Sequence, residues 1–362
     1  MSNININAGA WEILGSSDNI SGPECDAVIS SRVRLARNLA DYPFPARLSS
    51  EGRRQIEQIV RGAVNINGAG GYKFIGFAGL SGLEAEAFAE KRIVSPDFAK
   101  STHERELIAD ISNGVYVMLN EEDHLRIQCI KPGFAIGEAF EQADNFDSGA
   151  DLNYAYSEEL GYLTQCPTNL GTGLRASVMT HLPALTLNRQ IERIAADLPK
   201  LGLTMRGFYG EGSEVGGDLY QISNNITLGV SEEQTLEKIK SVAQKIIELE
   251  RHTRGELLKN EILTDKIKRA YGTLKHAHMI SSAEFLQLYS AVRLGVGYGI
   301  VKGLGYTVLD GLLVKVMPAN LILSRSAGNN NGNNGNNGPD KPEGENRDVA
   351  RAAYIQEVLS NA

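Results

Sequence analysis

The chain has 362 residues, 42% of them hydrophobic, and a formal net charge of −8. That length sets a two-domain expectation with apolar residues enough for a sizeable core, and the missing basic excess argues against direct nucleic-acid binding. The three cysteines, Cys25, Cys129 and Cys166, have the spacing of neither a disulfide framework nor a zinc site, and no signal peptide or membrane-length apolar run is present. A soluble, cytoplasmic protein with no membrane partner is expected from a reducing compartment.

Residues 1–24 read as a polar arm with one helical turn. From Asp26 to about Val230 short β-rich runs alternate with turns; VYVML (Val115–Leu119), LRIQCI (Leu125–Ile130) and LYQISNNITLGV (Leu219–Val230) read as strands. NEEDH (Asn120–His124) falls between the first two, at the rim of a site. Ser231 is placed to cap a long helix that leaves the β-rich region. From Leu257 onward the pattern is helical. Ser281 and Glu284 form a capping box, and helical stretches are predicted over Val296–Leu304 and Val308–Val316. The Asn/Gly tract 326–346 cannot bury apolar surface and reads as a mobile loop. RDVARAAYIQEVLS then restores a helix, with Asn346 as its cap and Asp348 suited to the helix dipole.

Four clusters carry chemistry. SSRVRLARN (Ser30–Asn38), NEEDHLR (Asn120–Arg126), YLTQCPTNLGTGLRASVM (Tyr162–Met179) and RGFYGEGSE (Arg206–Glu214) together place Arg32, Arg34, Arg126, Arg175 and Arg206 beside glycines, serines or strand ends. Arginine forks match phosphate oxygens, and phosphoryl transfer is mostly positioning and charge neutralisation. No P-loop and no kinase GxGxxG with HRD is present. The carboxylates of Glu121, Glu122 and Glu211 suit a planar cation, clamping a guanidinium and accepting its proton. A guanidinium is a poor nucleophile, so such chemistry needs tight placement and a base. Cys166, near cationic groups, suits a thiolate. Spacing alone does not separate these roles from surface ion pairs, a charged turn and a small buried hydrophobe.

The four motifs, in this order, resemble the phosphagen (guanidino) kinases, the arginine and creatine kinase group, over roughly Asp26–Arg254. GYLTQCPTNLGTGLRASVMTHLPAL is similar almost word for word to the branch that phosphorylates arginine side chains within proteins. The resemblance implies an α+β fold, an antiparallel sheet flanked by helices, with ATP and Mg²⁺, and here a C-terminal all-helical domain. The implied units are an arm at 1–24, a catalytic domain at 25–254 and a helical domain at 255–362. The nucleotide site would comprise Ser30, Ser31, Arg32, Val33, Arg34, Arg126, Arg175, Ala176, Ser177, Val178, Met179, Arg206, Gly207, Phe208, Tyr209, Gly210 and Glu211. Glu122 and Glu211 would be the catalytic carboxylates, with Cys166 beside the guanidinium. RDVARA resembles that branch's phosphoarginine-sensing motif, with Arg347 and Arg351 facing the phosphate, Asp348 pairing with the guanidinium, and Ala352 completing it.

The branch further implies protein substrates that include a heat-shock repressor, a Clp-type chaperone-protease, a small zinc-binding activator protein and a homodimer. Only a short arm precedes the SSRVR motif, where small-substrate kinases carry a helical domain; this fits a site open to a protein chain. Arg92 stands where a histidine is expected near the nucleotide. Two other readings remain: a kinase acting on free arginine, and a non-catalytic module that binds phosphoarginine through RDVARA.

Overall fold

The structure is a computed structural model that describes residues 21–67, 71–101, 105–207, 216–329 and 347–361. Eight strands form one antiparallel sheet: β1 (Val28–Arg37), β2 (Lys73–Gly76), β3 (Glu106–Asp110), β4 (Val115–Leu119), β5 (Leu125–Pro132), β8 (Leu174–His181), β9 (Leu203–Gly207) and β10 (Leu219–Asn224). Their order is β2-β3-β4-β5-β1-β8-β10-β9. A two-residue pair, β6 (Tyr156–Ser157) and β7 (Gly161–Tyr162), makes a separate ribbon. The expected fold class, an antiparallel sheet with flanking helices and a helical C-terminal region, is the one observed.

Strand alternation gives the sheet two unlike faces. Val33, Leu35, Val117, Ile127, Cys129, Ala176, Val178 and Ile222 point to the main core, closed by α1 (Ser50–Asn67), α4 (Ile136–Gly149) and α7 (Glu232–Leu257). The other face carries Arg32, Arg34, Arg126, Gln128, Arg175 and Ser177, since Arg34 lies opposite both Gln128 and Arg175, and Ala36 opposite Arg126. At the β2–β4 end this second face is covered by α2 (Gly82–Glu90) and α3 (Pro96–Lys100) around Phe77, Phe88 and Phe98. At the far end Met179 and Leu219 pack under the C-terminal helices. The central strip, where the arginines stand, lies between these two covered ends.

Helix signals in the sequence act locally. Ser231 Oγ accepts from the Gln234 amide at 3.1 Å and the Gln234 side chain returns the bond, a capping box that starts α7. Asn260 caps α8 (Glu261–His276), whose buried Leu263, Ile267, Ala270 and Leu274 recur at helical spacing. Ser281 accepts from the Glu284 amide and opens α9 (Ser282–Gly297). No helix continues over Val296–Leu304, contrary to the sequence expectation. Gly299 and Gly303 take φ +68° and +77°, left-handed values that end the run, and α10 starts only at Tyr306 (Tyr306–Lys315). The strand expected over Leu219–Val230 stops at Asn224, whose side-chain Nδ2 donates to Leu174 O at 2.9 Å and Ile226 O at 3.2 Å and turns the chain away. α11 (Pro318–Asn329) extends into the first residues of the expected Asn/Gly loop, and α12 (Arg347–Ser360) completes the C-terminal cluster. The remainder of the tract, Asn346 and most of the N-terminal arm lie outside the described residues.

Buried arginines join the layers. Arg37, 1% exposed, pairs with Asp147 at 2.8 Å, lies 3.5 Å from the Tyr162 ring centroid and donates to Thr172 O at 2.9 Å. Arg293 pairs with Asp310 at 2.8 Å and donates to Asp26 O at 2.8 Å, fixing the C-terminal helices to the start of β1. Arg254 pairs with Glu250 at 2.7 Å and donates to His181 O at 3.0 Å. Removing one member of such a pair strands the other charge. Arg37→Ala should therefore lower the unfolding free energy by about 3–5 kcal/mol in urea titration, and the double variant Arg37→Met/Asp147→Leu should lose less than the single one. An unchanged midpoint for Arg37→Ala would show that the pair contributes nothing.

Candidate active site

The arginine strip is built by register. On β1 the S-S-R-V-R alternation sends Arg32 and Arg34 to the open face and Ser31 and Val33 to the core side. Ser31 Oγ donates to Gly133 O at 2.8 Å and accepts from the Ala135 amide at 3.0 Å, so its side chain braces the entry to α4. Ala176 and Val178 are core residues on β8, whereas Arg175, Ser177 and Met179 face the strip with Ser30. Register divides the residues expected to form the nucleotide site, leaving Ser31, Val33, Ala176 and Val178 only backbone with which to touch a ligand in the strip. Arg206 and Gly207 lie on the edge strand β9, Arg206 opposite Gln221. Phe208, Tyr209, Gly210 and Glu211 lie outside the described residues.

Charge crowding is the outstanding property of the strip. Burial, then repulsion from Arg92, Arg126 and Arg175, pushes Arg32 down to about 9. Burial, then Arg32, Arg126 and Arg175, holds Arg34 well below its ordinary value, only partly offset by Glu121. The buried arginines that bind the layers together each own a carboxylate: Asp147, Glu250 and Asp310. Among the described residues none pairs with Arg32 or Arg34, and Arg34 Nε is buried with no hydrogen-bond partner. Like charges held together in this way are relieved by an external polyanion. A triphosphate fits that requirement in charge and in the geometry of its oxygens.

Beside the strip two loops are fastened to each other. Asn120, at φ +59°, opens the β4–β5 turn, and its amide donates to His124 O at 2.9 Å. The three acids that follow have three different surroundings. Glu121 turns inward, taking Arg126 Nη1 on both oxygens at 2.8 Å and Ser95 Oγ at 2.5 Å. Burial works to raise its pKa, but Arg126 and these hydrogen bonds prevail and hold it below the ordinary carboxylate range. Asp123 is buried and accepts from Asn38 Nδ2 at 2.6 Å and the Gln165 amide at 2.8 Å. Glu122 alone is exposed, with Asn169 Nδ2 3.5 Å from its Oε2. His124 takes the Leu39 amide on Nδ1 at 3.0 Å and donates Nε2–H to Pro43 O at 2.9 Å; burial pushes it down to about 4, so it is neutral.

The Asp123–Gln165 bond carries the Glu122 turn to the cysteine loop. Cys166 is half-buried, precedes the 3-10 turn Pro167–Asn169, and has Sγ 3.0 Å from Thr168 Oγ1. Thr227 Oγ1 donates to Thr168 O at 3.0 Å and Leu170 O at 2.7 Å, bracing the loop from β10's end. Gly171, φ +107°, is needed there, because a Cβ would stand 2.3 Å from Thr227 O. The glycines of the NLGTG turn thus permit close backbone packing that fixes Cys166. The Asp123–Gln165 and Glu122–Asn169 contacts thus bring the Glu122 turn to the Cys166 loop, and Glu121 ties the same turn to Arg126 on the strip.

Sequence reasoning missed Glu121 as the partner of Arg126, and Asp123 and His124 as the struts of the turn. It also missed Gln128, which stands between Arg126 and Ile130 on the strip and donates to Arg92 O at 3.0 Å and Ile93 O at 2.7 Å, holding Arg92 beside Arg32. Its i+2 spacing from Arg126 was the available signal. At the C-terminal end Arg351 is 2% exposed, donating to Val316 O, to Ile280 O and to Asp348 Oδ1 at 3.1, 2.8 and 2.6 Å. The two arginines of RDVARA therefore do not share an exposed face, contrary to expectation: Arg347 is exposed, Arg351 is inward, and the carboxylate of Asp348 faces Arg351 itself. Ala352 is buried in the C-terminal cluster.

No group of three or more His, Cys, Asp or Glu is placed to hold a metal among the described residues. A magnesium ion suits this donor set only as a companion of the nucleotide, held chiefly by phosphate oxygens and water.

Residues 55–253 match the family ATP:guanido phosphotransferase, C-terminal catalytic domain, and residues 260–362 match the protein-arginine kinase McsB C-terminal domain. The chain is 42% identical over 348 residues to a protein-arginine kinase of Pelotomaculum thermopropionicum, covering 94% of each. It is 44% identical over 303 residues to that of Caldanaerobacter subterraneus, covering 82% of this chain and 90% of the relative. Its fold is shared with a lombricine kinase crystal structure (TM-score 0.54, 24% identity, 64% of this chain and 68% of that one). It is shared also with the duplicated taurocyamine kinase of Schistosoma mansoni bound to transition-state analogue components (TM-score 0.58, 23% identity, 76% and 41%). With both family models matched and with this identity over nearly its whole length, the chain belongs to the protein-arginine kinase family of the ATP:guanido phosphotransferases.

Proposed function

We propose that this protein transfers the γ-phosphoryl group of ATP to arginine side chains of proteins. The observation that carries the reading is the strip of partly buried arginines, two of them with no paired carboxylate among the described residues, beside the exposed carboxylate of Glu122. Arg32, Arg34 and Arg175 hold the triphosphate, with Arg126 positioned by Glu121 and Arg206 closing from the sheet edge. Magnesium bound with the nucleotide supplies further charge neutralisation at the phosphoryl oxygens. Glu122 and Glu211 align the substrate guanidinium, and a carboxylate takes its proton as the N–P bond forms and the bond to the β-phosphate oxygen breaks. Cys166 stands beside the guanidinium and stabilises its charge.

Family membership supports the finer assignments of this reading. Phosphorylation marks proteins for a Clp-type chaperone-protease and inactivates a heat-shock repressor. A small zinc-binding protein activates the kinase, and the helix bearing Arg347, Asp348, Arg351 and Ala352 senses phosphoarginine. For Arg351 this requires exchange of its present bonds to Val316 O and Ile280 O. The chain acts in the cytoplasm; no single helix among the described residues is long and apolar enough to cross a membrane. It acts as a homodimer through the C-terminal helices, where Leu258 and Ile262 are 49% and 82% exposed; a purely monomeric sedimentation profile at micromolar protein would remove this assignment.

Glu122→Gln keeps the shape and loses the base. It should reduce phosphoryl transfer to protein arginine by about 10²–10⁴-fold while nucleotide affinity stays near that of the parent protein. Transfer at the parent rate would remove Glu122 from the mechanism.

A further inference from the structure

On the arginine face, at the Ser30 end of β1, lies a cavity of about 360 Å³. Its floor comes from Arg32, Ile130, Ser177 and Met179 on β1, β5 and β8, with Arg92 at one side. Its opposite wall comes from the C-terminal region, where α10 contributes Thr307, Leu313 and Val314. A cationic end and an apolar remainder in one volume are the features of a site for a small molecule that is anionic at one end and flat and apolar at the other.

The direction of the strip places that molecule. Glu122 and Cys166 sit near the Ala36 end of β1, because Ala36 is opposite Arg126 and Arg37 opposite Leu125, the first residue after the turn. The cavity is at the other end, six residues away, about 20 Å at the rise of a strand. A phosphate chain whose reacting end meets Glu122 must lead its nucleoside toward Ser30.

The wall is held firmly. Asp310 of α10 takes Arg293 at 2.8 Å and Tyr289 Oη at 2.7 Å, and Thr307 Oγ1 is 2.7 Å from Ser21 Oγ. Beyond α10, Glu90 accepts the Ala319 and Asn320 amides at 2.9 Å each and so caps α11 from across the junction, one residue before the Lys91–Arg92 edge of the same cavity.

We infer that α10 is the base-side wall of the nucleotide site, so that Val314 and Thr307 of the C-terminal helical region determine how the nucleoside of ATP is bound. This rests on the nucleotide reading above and adds to it a binding surface outside the sheet. A substitution that fills the cavity from α10 acts on the nucleoside and spares the phosphates.

The test is calorimetric titration of the full chain with two probes, ATP and inorganic tripolyphosphate. Val314→Trp should weaken ATP by about tenfold or more and leave tripolyphosphate within about twofold of the parent protein. Thr307→Trp, at the mouth, should show the same split and decides the matter if Val314→Trp loses its thermal unfolding transition. ATP affinity at the parent level in folded variants would overturn the inference, as would equal weakening of both probes. If the parent protein binds neither probe, the nucleotide reading itself falls, and this one with it.

Discussion

The structure depends on holding several guanidinium groups together on one face of a sheet. Strand alternation makes the placement simple, since Arg32 and Arg34 share a face and their neighbours on β5 and β8 are opposite them. The electrostatic cost is what needs support. It is met by a rigid frame: α2 and α3 at one side, the C-terminal helices at the other, and the core face closed by α1, α4 and α7. Burial keeps the charges from relaxing into water, and their mutual repulsion makes the strip receptive to a polyanion.

The same residue type serves two ends in this protein, and the partner distinguishes them. Arg37, Arg254, Arg293 and Arg351 are buried with a carboxylate and with carbonyl oxygens, and they tie distant segments together. Arg126 is intermediate, on the strip yet engaged by Glu121. Arg32 and Arg34 have no carboxylate among the described residues, and this separates a ligand site from a structural joint more sharply than the number of arginines does.

Much of this was legible in the chain. The alternation of SSRVR announces a strand with a cationic face, and Ser231 followed by Gln234 announces the long helix. What was hidden required contacts distant in sequence. The inward turn of Arg351 depends on Val316 O and Ile280 O, which no local pattern reveals. Within NEEDH, three adjacent acids look alike in sequence, yet only Glu122 is exposed, because Arg126 claims Glu121 and the Gln165 amide claims Asp123. The apolar run Val296–Leu304 resembles a helix in composition, but Gly299 and Gly303 adopt positive φ and break it. Motifs identify which loops matter; long-range hydrogen bonds decide which side chains they present.

The central claim is that the arginine strip and Glu122 serve phosphoryl transfer to arginine within proteins. Incorporation of labelled γ-phosphate from Mg-ATP tests it most directly, with an arginine-rich unfolded protein and free arginine compared side by side. The account predicts label on the protein, released by mild acid as expected of a P–N bond, and little on free arginine. Label confined to free arginine would contradict it.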